Sequence, residues 1–215
     1  MVRATLLLIA AALLASASAI AQDKPATTPP SSARAGDSMP HDTHGGMTVS
    51  ALPWTDSARA KNKFGKANPL PTGILPVEVL LRNDTGNPIQ IGLETIQLDV
   101  HLQGSRLQEL DWLAPEEVAR RIAHPGGDPV PKMRRFPIGM RAIGDKKVSQ
   151  LAALLQPLAL DADVVPPNGT IHGFLFFDLN HDLSLAAHSS LYLPDATVIP
   201  SKQPLIFFEV PLGEP

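Results

Sequence analysis

The 215-residue sequence predicts a mainly β fold, an antiparallel β-sandwich interrupted by one helical insertion. Two features of composition and one of pattern carry that expectation. Proline occurs 22 times, about double its usual ~5%, and charged residues make up 18%, below the roughly 25% of an average globular chain, which disfavours long charged helices and coiled coils. Apolar residues alternate with polar ones in short runs separated by Pro, Gly and Asn, the pattern of strands with one buried face. The alternation is interrupted between residues 111 and 156, where the spacing becomes helical.

Residues 1–21 have the three parts of a secretory signal: Arg3 as a short positive end, an apolar run over 6–14, and small residues closing with Ala19-Ile20-Ala21. Cleavage there starts the mature chain at Gln22, and the expected location is exported, periplasmic or secreted. Retention as an anchor is the alternative, although the run falls short of the ~20 residues a span needs, and no other stretch comes close to spanning a bilayer. Cys is absent, which excludes a disulfide framework, a thiolate metal site and a cysteine nucleophile, so the domain must be held by packing alone. Residues 22–46 are rich in Pro, Ser, Thr, Ala and Gly without apolar periodicity, the composition of a disordered tether, leaving a single domain over 47–215.

Within that domain Met47, Val49 and Ala51 alternate with Thr48 and Ser50 as a first strand. Leu75, Val77, Val79 and Leu81 share one face of a second, which ends in the turn Asn83-Asp84-Thr85-Gly86-Asn87-Pro88. Ile89 and Ile91 carry the next, and Ile96, Leu98, Val100 and Leu102 alternate with Gln97, Asp99 and His101 in the clearest run. Pro115-Glu116-Glu117 opens a helix through Val118 and Ile122, with Pro at a tolerated first-turn position and acids near the positive helix end. Val148, Leu151, Leu154 and Leu155 mark a second helix, stopped by Pro157. After the turn Pro166-Pro167-Asn168-Gly169, the run Phe174-Leu175-Phe176-Phe177 leaves neither face polar, so that strand is expected centrally, covered on both sides. Residues 191–193, 197–199 and 205–212 complete the strands.

The stretch Leu75-Pro76-Val77-Glu78-Val79-Leu80-Leu81-Arg82-Asn83-Asp84 before Pro88-Ile89, together with Pro167-Asn168-Gly169-Thr170 before Gly173-Phe174-Leu175-Phe176-Phe177, resembles the immunoglobulin-like, telokinin-like domains of exported bacterial proteins. The resemblance implies an immunoglobulin-like β-sandwich acting as a binding or structural module, with no catalytic apparatus of its own. The insertion at 111–156 departs from the compact pattern of that family.

Three chemistries have candidate residues. Met39, His41, His44 and Met47 cluster at the end of the tether, and thioether with imidazole suits copper; a polar linker that happens to hold two His is the plainer reading. His101, His124, His172, His181 and His188 share no ligand spacing, and no nucleophile-elbow, phosphate-loop or paired-His motif organises a hydrolase, the second alternative. The net charge of -3 hides an uneven distribution: nine of the 18 basic residues lie between Arg106 and Lys147, against six acids. Lys132, Arg134, Arg135 and Arg141 mark its densest part, expected to contact an envelope protein or an anionic envelope polymer, or else to be a solvated loop. Nucleic acid is excluded as a partner by export and by the lack of interleaved aromatics. The expected role is non-catalytic binding or scaffolding in the envelope or outside the cell.

Overall fold

The computed structural model describes residues 39–102, 104, 106–126 and 145–213. In chain order the strands are β1 (His41–His44), β2 (Met47–Pro53), β3 (Ile74–Asn83), β4 (Ile89–Ile91), β5 (Gln97–Leu102), β6 (Arg106–Asp111), β7 (Val164–Val165), β8 (Thr170–Asp178), β9 (Ser189–Leu193), β10 (Ala196–Val198), β11 (Gln203–Pro204) and β12 (Phe208–Pro211). The helices are α1 (Ser57–Phe64), α2 (Pro115–Ala123) and α3 (Lys146–Leu155). Three antiparallel four-stranded sheets result, ordered β1-β2-β3-β8, β11-β10-β4-β7 and β12-β9-β5-β6.

The alternation read from the sequence builds the main core. Met47, Val49 and Ala51 of β2, Leu75, Val77, Val79 and Leu81 of β3, and Leu175 and Phe177 of β8 face Leu98, Val100, Leu191, Phe208 and Val210 of the third sheet, with Ile89, Ile91 and Val165 closing one side. The fold is a mainly β antiparallel sandwich with a helical insertion. On the outer face of the first sheet a second core forms from Ile74, Phe174 and Phe176 beneath Trp54, Phe64, Val118, Ala119, Leu151 and Leu155. The molecule is therefore layered: helices, first sheet, main core, third sheet.

Three strands differ from what the sequence predicts. The folded part begins before Met47, because β1 pairs with β2 across Gly45-Gly46, both at positive φ (55° and 80°), the geometry of a two-residue hairpin turn. The boundary of the tether at residue 46 thus falls inside a hairpin. β8 is buried on both faces as expected but lies at the end of its sheet; the backbone amides of Leu113 and Leu160 donate to Phe176 O (2.7 Å) and Phe174 O (3.0 Å) and occupy its outer edge. That approach requires Gly173, since a Cβ there would stand 2.5 Å from the Leu160 nitrogen. Lastly, β6 is a strand just ahead of the expected insertion, in a stretch to which the sequence assigns no element; Arg106-Leu107-Gln108-Glu109-Leu110-Asp111 has almost no buried face, and its pairing with β5 sets its conformation.

Candidate functional site

The helical layer is held to the first sheet by aromatic packing and by the carboxylates of Glu78 and Asp178. Asp56 caps α1, its side chain accepting from the Ala58 (2.7 Å) and Arg59 (3.0 Å) amides, and these bonds hold its pKa below the ordinary carboxylate value. Phe64 at the end of α1 packs edge-on against Phe174, with centroids 5.0 Å apart, and Trp54 does the same at 5.2 Å. Glu78 of β3, 19% exposed, accepts from Trp54 Nε1 at 2.8 Å and Arg59 Nη2 at 3.4 Å, and pairs with His172 Nε2 at 2.8 Å. The Arg59 guanidinium also lies over the Trp54 ring, 3.8 Å from its centroid. These contacts fix α1 across β3 and β8.

At the end of the layer a polar pocket of about 230 Å³ is lined by Thr72, Arg121, His124, Asp178, Asn180 and His181 among others. Arg121 of α2 pairs with Asp178 at the end of β8 and with Glu117 at 3.2 Å. Desolvation pulls its pKa down, but the bonds it donates to the two carboxylates outweigh that and raise it. Asn180 and His181 have positive φ (49° and 68°), and the backbone of Gly73, at φ 79°, abuts the His181 amide so closely that no side chain fits there. His124, which ends α2, pairs through Nε2 with Asp145, the cap of α3, at 2.6 Å. That bond, with the Lys147 and Val148 amides, lowers the Asp145 pKa against the opposing effect of desolvation. The Thr72 hydroxyl donates to Pro69 O at 2.7 Å. The pocket's charges thus engage one another and tie α2 to β8 and α3, and its hydroxyl is bonded to a carbonyl rather than aligned on a base.

The residues considered for copper do not converge. Met47 is fully buried in the main core. His41 and His44 are three apart on one strand and so point to opposite faces; His41 Nδ1 lies 3.0 Å from Met39 O, and His44 pairs with Asp42 (3.0 Å) beside the Phe208 ring. Among the described residues no three His, Cys, Asp or Glu are grouped to hold a metal ion. Lys132, Arg134, Arg135 and Arg141 lie outside the described residues.

No family model and no curated protein matches the sequence. Among solved structures, one described as a functionally unknown protein from Listeria monocytogenes EGD-e is similar over 81% of this chain and 82% of its own, at 12% identity and a TM-score of 0.37.

Charge is distributed across the layers. Among the described residues, the helices with their caps and the turn that continues α1 carry Arg59, Lys61, Lys63, Lys66, Arg120, Arg121, Lys146 and Lys147 against Asp56, Glu116, Glu117 and Asp145. All eight cations except the half-buried Arg121 are exposed. Four of them, those of α1 and its continuation, lie in a stretch that the sequence reading did not assign to any element. Asp56 as a cap, Ala60 and Phe64 at helical spacing, and Gly65 at the end are the signal that marks it.

The outer face of the third sheet is acidic. Because Leu98 and Val100 point inward, Asp99 points outward, directly opposite Glu109 of β6. Asp111 and Glu209 lie on the same face by register. Desolvation first, then Glu109 and Glu209, raise the Asp99 pKa above its ordinary 3.8. A carboxyl that binds its proton more tightly folded than unfolded costs stability as pH rises from the unfolded value through the folded one, and costs nothing below both. Asp99→Asn is therefore expected to stabilise the protein at pH 7 by about 0.2–1 kcal/mol, the scale of a cross-strand charge pair, as measured by urea unfolding. The gain should vanish once the pH is well below 3.8.

Proposed function

We propose that this chain is a non-catalytic, exported binding domain, an immunoglobulin-like module that presents its helical layer to an anionic partner in the cell envelope or outside the cell. In this reading residues 1–21 are the export signal and the sandwich is the rigid support. The supporting observation is the opposition of charge: seven exposed cations on the helical layer, and Asp99, Glu109, Asp111 and Glu209 on the far sheet face. A chain of net charge -3 is not drawn to polyanions as a whole. Its layered field instead turns the basic side towards them, over distances of about a Debye length, ~10 Å at 0.1 M salt. The basic stretch with Lys132, Arg134 and Arg135 falls in sequence between α2 and α3 and adds to the same sign.

The test is retention on an immobilised sulfated polysaccharide over a salt gradient. Reversal of Lys61, Lys63 and Lys66 to Glu is expected to weaken binding by about tenfold or more, equivalent to about 1.4 kcal/mol, and Lys132, Arg134 and Arg135 changed to Ala should weaken it further. Asp99→Asn should leave it unchanged or slightly stronger. Equal retention of the wild type and the triple reversal would refute the reading.

A further inference from the structure

The helical layer also contains an apolar recess. A groove of about 760 Å³ is lined by Ile122 of α2, by Leu151, Ala153 and Leu154 of α3, and by Lys66 and Lys147. That volume falls in the range of single small-molecule sites, about 300–1,000 Å³. Leu154 is 50% exposed within it, while Leu151 beneath is buried. Neither Lys66 nor Lys147 pairs with a carboxylate among the described residues, and Lys147 Nζ donates to Ala123 O at 3.1 Å.

We infer that this groove binds a single-chain anionic amphiphile, with the alkyl chain on the Ile122–Leu154 floor and a carboxylate, sulfate or phosphate head between Lys66 and Lys147. The inference rests on the proposed role of the basic layer and names its ligand. The walls are helices, whose backbone groups bond internally, so there is no open edge for an extended peptide, and an apolar floor suits a chain without polar atoms. Two lysines in one lining favour an anionic head over a neutral or cationic one. Gln150, also at the lining, offers an amide donor to the same head. A recess receives one chain at a time, which favours a free amphiphile over the flat surface of a bilayer.

The experiment is calorimetric titration of the full chain with dodecanoate below its micellar concentration. Saturable binding at one site is expected, weakened by about tenfold or more in Lys66→Glu/Lys147→Glu and in Leu154→Asn. An uncharged dodecyl glycoside should bind at least about tenfold more weakly than dodecanoate, and acetate should give no saturable heat. Leu154 is already half exposed, so Leu154→Asn is expected to fold; Ala153→Trp, which fills the groove, provides a second block and should also abolish binding. Absence of saturable dodecanoate binding, or binding unaffected by both groove variants, overturns the inference. Equal binding of wild type and groove variants to phosphatidylglycerol vesicles, with none to free dodecanoate, assigns the surface to a bilayer and likewise overturns it. Retention on the sulfated polysaccharide separates the two levels: if it persists while dodecanoate fails to bind, only the groove inference falls, and if it is also absent, the basic-layer reading falls with it.

Discussion

Asn83→Ala is expected to cost about 3–5 kcal/mol of folding free energy, a large share of what a domain has to lose. Asn83 ends β3 with no exposed surface. Its Nδ2 donates towards Asn87 O (2.7 Å), Pro166 O (3.1 Å) and Val165 O (3.3 Å), while Oδ1 accepts from the Thr85 amide (2.9 Å) and hydroxyl (2.7 Å). One amide group therefore closes the turn after β3 and joins it to the end of β7 and the residue that follows. Truncation leaves several of these partners without their bond inside the fold, and each buried unsatisfied polar group costs about 1–3 kcal/mol. Asn83→Asp retains the acceptor but sets a carboxylate against three carbonyl oxygens, so it should be comparably damaging at pH 7 and less so in acid, where the protonated group donates again. Urea unfolding of both variants at pH 7 and pH 4 measures this. A loss below about 1 kcal/mol for Asn83→Ala would show that the hub is not what holds the turn.

Asn83 also shows where sequence reading stops. That Asn83-Asp84-Thr85-Gly86-Asn87-Pro88 is a turn follows from residue chemistry alone. That the same side chain reaches Val165 and Pro166 does not, because those carbonyls arrive from 82 and 83 residues away and pair by backbone, with no side-chain signature. Strands with a buried face were legible for a similar reason: Leu75, Val77, Val79 and Leu81 state their period locally. β6 was not, because a strand with almost no buried face has no period to show. β1 is masked although Gly45-Gly46 is a hairpin signal, since His41–His44 follow a Pro- and Ser-rich stretch and carry no apolar period of their own. The candidate site was half legible. Sequence counting located the positive charge between residues 106 and 147, but the cations of α1 join that set only through the outer face of the first sheet. The groove is still less local, since Lys66 and Lys147 are brought to one lining by the packing of elements far apart in the chain.

Phe174→Ala is expected to cost about 3–5 kcal/mol and to act on the helical layer before the sandwich. Phe174 is 1% exposed and alternates along β8 with Leu175, so the two neighbours serve different cores. It makes edge contacts with Trp54 at 5.2 Å and Phe64 at 5.0 Å, and the Lys63 ammonium lies 5.6 Å from its centroid. Removing the ring empties the centre of the aromatic cluster and loosens Trp54, which in turn positions Arg59 and Glu78. Hydrogen exchange should therefore accelerate in α1, α2 and α3 while β5 and β9, which pack on the opposite side of the main core, stay protected. Phe177→Ala, of equal chemistry but in the main core, should instead accelerate exchange in all three sheets together. If Phe174→Ala raises exchange uniformly, the two cores unfold as one unit and the layer has no separate stability. The distinction bears on function, because every described cation of the layer keeps its charge in Phe174→Ala. Where the layer loosens and the sandwich does not, retention on a polyanion should fall with no charge removed, which a purely electrostatic account of net charge cannot produce.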